Sequence, residues 1–259
     1  PFFVTGRIPA AYFCDRVVES KVLSQALLSQ MNVVVTSPRR MGKTALVDFV
    51  FQQEVIQKDY FTIDVDILHT TCFKEFIYAL GTAAYDKIAS RSDKMKRLFI
   101  ATLRSLSASF GYDPIQNTPT FDIKLGDITT PDYTLREIFN FMEQADKRCL
   151  VVIDEFQQIT KYPEKNIEAV LRSYIQKMSN ANFVFAGSQR TVLEEMFLSS
   201  RRPFFQSAKL MQLDAIELSV YQDFVVGHFR EGGKDINPEA VEVAYRSFRG
   251  VTLYMQRVM

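Results

Sequence analysis

Two short runs in this 259-residue chain combine residue types suited to handling phosphate. The first is Ser37-Pro38-Arg39-Arg40-Met41-Gly42-Lys43-Thr44-Ala45. It follows a β-branched run, Asn32 to Thr36, and opens a helical pattern that begins at Lys43 and runs to Ile56. This is the setting of the phosphate-loop pattern G-x-x-x-x-G-K-[ST]. Backbone N–H groups of such a loop wrap phosphates, and the helix N-terminus adds partial positive charge. Lys43 is expected to reach the terminal phosphates and Thr44 to ligate Mg²⁺. Ser37 stands where the pattern has its first Gly, which normally admits unusual dihedrals and close backbone approach. The same letters also describe a helix-start Gly followed by a solvated Lys. The strand before and the helix after favour the phosphate reading.

The second run is Leu150-Val151-Val152-Ile153-Asp154-Glu155. A continuous apolar run is expected of a strand buried on both faces. The two carboxylates lie at its C-terminal end, the edge at which open α/β sheets bind ligands. Successive strand side chains point to opposite sides. Asp154 is therefore read as the Mg²⁺ holder, and Glu155 as the base that orients and deprotonates an attacking water.

The elements that must position these residues follow from periodicity. Further strands are expected at Tyr60–Ile67, Asn182–Ala186 and near Lys209–Leu213. Helical spacing is expected over Tyr12–Met31 (Asp15 a cap candidate), Phe73–Ile88, Asp93–Ser109, Leu135–Ala145, Glu164–Met178 and Thr191–Leu198. Pro1–Pro9 reads as an extended lead-in and Thr120–Leu125 as part of a short hairpin. From Leu218 onward the pattern is helical only. Strands alternating with helices predict an α/β three-layer sandwich on a central parallel sheet. The expected division is a core over residues 1–217 and a helical lid over 218–259.

Composition narrows the function classes. Thirty-one basic and 30 acidic residues leave a net charge of +1, which excludes a strongly basic nucleic-acid coat. No apolar run approaches transmembrane length. Cys14, Cys72 and Cys149 lack zinc spacing and read as reduced thiols, pointing to a cytoplasmic protein. His69 and His228 are too isolated for a metal site. Lys94, Lys96, Arg97 and Arg104 make one helix face basic, a pattern usually solvated.

Together, SPRRMGKTAL and LVVIDEFQQI resemble the Walker A and Walker B motifs of STAND-type P-loop ATPases, within the AAA+-related group. More narrowly, the chain is similar to the archaeal- and Bacteroides-type ATPase domain proteins over nearly its whole length. The lead-in containing Phe13, Asp15, Arg16 and Glu19 resembles that family's N-terminal box, with Cys14 and Asp15 replacing its usual x-Gly. The resemblance implies that Phe13 and Arg16 lie beside the adenine. It also implies a phosphate sensor among Ser188, Gln189 and Arg190, where a cation would stabilise the transferring phosphoryl group. Which of the three reaches the phosphate stays open. Arg201-Arg202 are a further sensor or finger candidate. Gly250-Val251-Thr252-Leu253-Tyr254 resembles the lid motif written Gly-x-Pro, with Thr252 in place of Pro.

The expected activity is Mg-ATP hydrolysis by a nucleotide-dependent switch, with ATP or ADP and Mg²⁺ as cofactors. A protein partner and nucleotide-dependent oligomerisation are the expected output. The alternatives are a DNA-associated AAA+ loader and a scaffold that holds ADP without turnover. The helical pattern at Met259 leads us to expect an effector region beyond it, and DNA contact only through that region. No membrane partner is expected.

Overall fold

Strand β1 (Val33–Thr36) is buried along its whole length, and its side chains divide between two cores. Val34 joins one apolar cluster, while Val33 and Val35 join another. The same alternation runs through β5 (Arg148–Asp154) and β6 (Ala181–Gly187). Val151, Ile153, Phe183 and Phe185 face the first cluster; Leu150, Val152, Val184 and Ala186 face the second. A period of two places one set of side chains on each face, so these runs require cover on both sides.

The cover and the sheet appear in a computed structural model. It describes residues 13, 14, 16–113, 118–121 and 123–259, with backbone alone over 107–113 and 118–121. The expected lead-in Pro1–Pro9 and the Asp15 cap lie outside the described residues. Strand β2 (Tyr60–Asp66) and β7 (Lys209–Gln212) complete a five-stranded sheet of order β2-β5-β6-β1-β7. Every pairing in it is parallel. On the second cluster's face lie α1 (Val17–Leu28), α2 (Lys43–Phe51) and α3 (Glu54–Asp59). On the first lie α4 (Phe73–Lys87), α5 (Asp93–Thr102), α6 (Pro131–Glu143), α7 (Ile167–Ile175) and α8 (Arg190–Leu198). This is the three-layer α/β sandwich expected from the alternating elements.

Three local expectations change. The single helix over Lys43–Ile56 breaks at Gln52-Gln53. The Gln57 side chain donates to the Phe51 carbonyl at 2.5 Å, supplying a donor to a helix end that lacks one, and Ile56 turns into the core. The helix expected over Asp93–Ser109 stops at Thr102. There the buried Glu137 carboxylate accepts from the Arg104 and Ser105 amides at 3.2 and 3.0 Å and draws the chain into a 3₁₀ turn. The hairpin pairs β3 (Phe110–Asp113) with β4 (Thr118–Phe121), N-terminal to the expected position.

After β7 the chain forms α9 (Leu218–Glu231), α10 (Pro238–Phe248) and α11 (Thr252–Val258). These helices carry their own small cluster, centred on Tyr221, Val225, Val241 and Met255, into which Cys14 also packs. Gly250 joins α10 to α11 at φ +68°, and a Cβ there would meet the Ala215 Cβ at 2.7 Å. The helical unit therefore sits against the strand-to-helix linker at a point where a side chain does not fit.

Candidate functional site

Sheet register assembles the site. Thr36 of β1 is level with Gly187 of β6, and Ile153 of β5 is level with Phe185. The residues that follow, Ser37, Asp154, Glu155 and Ser188, therefore leave the sheet at one carboxyl edge, where β1 lies between β6 and β7. In parallel α/β sheets this edge is where ligands bind.

The loop from Ser37 to Lys43 bends without strain at its serine. Its left-handed positions are Arg40 (φ 69°) and Gly42 (φ 88°), and Ser37 has no positive φ. The missing first Gly thus costs no forbidden dihedral here. Ser37 is buried, and its hydroxyl donates to the Pro38 carbonyl at 3.0 Å. Gly42 caps α2, which directs the first amides of that helix toward the cleft.

Lys43 Nζ lies 2.7 Å from Asp154 Oδ1 and 3.5 Å from Glu155 Oε1. Thr44 Oγ1 donates to Asp154 Oδ2 at 3.1 Å. Both charged residues of the acid pair thus meet the cation of the loop. Glu155 itself sits in the left-handed region (φ 56°), which separates its side chain from that of Asp154. Its Oε2 accepts from Ser188 Oγ at 2.8 Å and from the Gln157 amide. Burial alone would raise the Glu155 carboxyl; the hydrogen bonds from Gln157 and Ser188, together with the Lys43 charge, outweigh it and hold the group below the usual range. Glu155 is therefore ionised at neutral pH.

Lys43, Thr44, Asp154, Glu155 and Ser188 line a cleft of about 540 Å³ that also takes in Ser37, Pro38, Arg39, Arg40, Gly42 and Ala45. A smaller adjoining cavity of about 170 Å³ brings Asp48 and Asp66 beside Thr44 and Asp154. Hard oxygen donors of this kind suit Mg²⁺, which keeps several waters and takes only one or two protein ligands. The α11 end closes the cleft through Thr252, Leu253 and Gln256. Leu253 N–H donates to the Arg40 carbonyl at 3.2 Å. The Arg40 guanidinium bonds the Tyr254 hydroxyl and lies 5.0 Å from that ring's centre.

Several expected residues are placed elsewhere. Phe13 stacks on Phe49 with ring centres 4.3 Å apart and is outside the cleft lining. Met41 is buried beneath the loop. Gln189 is exposed at the start of α8, and Arg190 pairs with Glu194 at 2.6 Å instead of facing the loop. Arg202 pairs with Glu168 and, at 3.7 Å, with Glu195. Arg16 is 5% exposed and is a clasp: it donates to the Met41 carbonyl at 3.2 Å, to the Asp214 carbonyl at 2.7 Å, and to Glu19. One guanidinium thereby ties the N-terminal segment to the loop and to the linker before α9. Five donors in a rigid fork make Arg suited to this. Arg16→Met is expected to lower the stability of the folded chain by about 2–4 kcal/mol, because buried carbonyls lose charged donors; a urea midpoint measurement reads this.

The residues missed in the sequence are Asp48, Leu68, Gln256 and Gln157, whereas Leu253 belongs to the stretch that resembles the lid motif. Asp48 was accessible through its helical spacing from Thr44. The others needed the fold. Cys149 carries no chemistry: burial, helped by Glu143 and Asp146, pushes its thiol up to about 12.

A parallel sheet of this order, with a Gly-Lys-Thr loop and an acid pair at its carboxyl edge, defines a P-loop nucleoside-triphosphatase fold. The sequence signature of an ATPase domain predominantly from Archaea matches residues 13–258, and the chain belongs to that family of P-loop ATPases related to AAA+ proteins. Among curated proteins none matches the chain. Among solved structures it is similar to a Walker-type ATPase of Pyrococcus abyssi (TM-score 0.69, 16% identity, covering 98% of this chain and 69% of that one). It is also similar to the Aeropyrum pernix ORC2 protein in ADPNP–ADP complexes (0.59, 15%, 95% and 61%). A third is the Thermotoga maritima RuvB Holliday junction branch migration motor (0.51, 16%, 96% and 62%). At these identities the likeness is one of fold. The chain spans roughly two thirds of the length of these proteins. Among the described residues no helix is long and apolar enough to cross a membrane.

Proposed function

We propose that the chain binds Mg-ATP in the 540 Å³ cleft, hydrolyses it, and uses the nucleotide state to set the position of the C-terminal helices, in the manner of a STAND-type switch. The observation that carries this is the contact set around Lys43: the loop cation, Thr44 and both carboxylates converge at the mouth of one helix. With nucleotide bound, the amides from Arg39 to Thr44 would wrap the phosphates, and Lys43 would turn from Asp154 to the terminal phosphates. Thr44 and Asp154 would hold Mg²⁺, which supplies charge neutralisation at the phosphate oxygens. Glu155, ionised and at the cleft wall, orients a water and takes its proton as it attacks in line.

The second half of the proposal concerns residues 218–259 as a lid. Leu253 N–H and the Tyr254 hydroxyl bond the same loop residue, Arg40, that borders the phosphates. A loop reshaped around phosphate therefore exchanges those contacts, and this gives the two lid positions different energies with and without nucleotide. The test is ATP turnover by the wild-type chain, together with amide hydrogen exchange of residues 218–259 in ADP and in a non-hydrolysable ATP analogue. We expect turnover, and different protection of α11 in the two nucleotides. Tight ADP binding without turnover would support the scaffold reading instead, and identical protection would overturn the switch.

A further inference from the structure

One buried polar side chain beside the cleft breaks the usual rule of pairing. Gln157 is 2% exposed, yet its Oε1 has no hydrogen-bond partner among the described residues. A buried carbonyl oxygen without a donor costs stability. A leucine would fill the same space without that cost, so packing does not account for a glutamine here. What the glutamine does make is one bond, from its amide N–H to Glu155 Oε2. Ser188 Oγ, just past the end of the neighbouring strand β6, donates to the same oxygen. Both donors load Oε2, which leaves Oε1, 3.5 Å from Lys43, as the less engaged oxygen at the cleft.

Room for this arrangement comes from Gly187. A Cβ built there would stand 2.0 Å from Gln157 Oε1 and 2.7 Å from Leu193 Cδ1. Gly187 has no positive φ, so the backbone does not require glycine; the space does. Gln157, Gly187 and Glu155 therefore form one packed unit at the ends of β5 and β6.

We propose that Gln157 is a positioning residue for hydrolysis: seated in the space left open at Gly187, its amide fixes the Glu155 carboxylate so that Oε1 faces the attacking water. This rests on the assignment of Glu155 as base. Holding a base within a fraction of an ångström of its working geometry is worth large rate factors, because small misplacements are costly. The effect expected is therefore on the chemical step, with nucleotide binding left in place.

The test is Gln157→Leu in the intact chain. We expect an unchanged or higher melting temperature, ATP-analogue affinity and KM within about 2-fold of wild type, and kcat lower by about 10- to 100-fold. Gly187→Ala provides a second route. It is expected to lower kcat in the wild-type background by evicting Gln157, and to add no further loss in a Gln157→Ala background. Wild-type kcat in Gln157→Leu would overturn the proposal. So would a lower kcat accompanied by a raised KM or a lower melting temperature, which is the signature of a purely structural role. Glu155→Gln measured alongside separates the two assignments. Full turnover in that variant would remove the base itself, whereas its loss with a normal Gln157→Leu would remove only the positioning role.

Discussion

Glu155→Gln is expected to lower kcat by about 10²- to 10⁴-fold, the range for losing a positioned general base. Nucleotide affinity should change little. The substitution is isosteric, and Lys43 keeps its 2.7 Å contact with Asp154. The carbonyl oxygen of the new amide can still accept from Ser188 and Gln157, which now donate to Glu155 Oε2. What is lost is the capacity to take a proton from water. The variant should therefore hold ATP without turning it over, and the lid should rest in its ATP-bound position. Phosphate release under saturating Mg-ATP reads the first effect, and hydrogen exchange of α11 reads the second. Turnover within about 10-fold of wild type would place the base elsewhere.

Lys43→Ala is expected to act one step earlier, on binding. Lys43 is 8% exposed and meets two carboxylates. Removing it withdraws the cation that would meet the terminal phosphates. It also withdraws the side-chain cation that balances Asp154 and Glu155 beside the polyphosphate. Loss of a preorganised charged donor of this kind costs roughly 3–4 kcal/mol, or about 100- to 1,000-fold in affinity for ATP. Titration with a fluorescent ATP analogue measures this directly. The loss should shrink for adenosine, which lacks the phosphates Lys43 serves. Equal losses for both ligands would mean that the substitution had collapsed the cleft.

How far these expectations were readable from the chain differs residue by residue. Lys43, Thr44, Asp154 and Glu155 were legible because their meaning depends on local facts: a strand, a turn, a helix start, and the order of side chains across them. Ser37, in the place of the pattern's first Gly, leaves the loop geometry open in the sequence. Ser37 has no positive φ, and the loop takes its left-handed turns at Arg40 and Gly42 instead. Arg16 was read through a family likeness as an adenine contact, whereas the guanidinium is spent on two backbone carbonyls, one 25 and one 198 residues distant. Arg190 follows Ser188 by two residues, but the chain turns into α8 between them. That turn sends Ser188 to Glu155 and Arg190 to Glu194.

The amino-acid sequence by itself determined the layers of the fold and the chemistry at one sheet edge. Apolar period-two strands must be covered on both faces, and a Gly-Lys-Thr helix start must offer amides and a cation to an anion. Only the tertiary structure decided which polar groups serve that chemistry. Gln157 reaches Glu155 because Gly187, on a different strand, has no side chain. Arg40 touches the C-terminal helices because α11 returns to the loop over two hundred residues later. The physical reason is reach: periodicity reports on neighbours within a turn or a strand, while a hydrogen bond a few ångströms long between distant segments depends on sheet order and register.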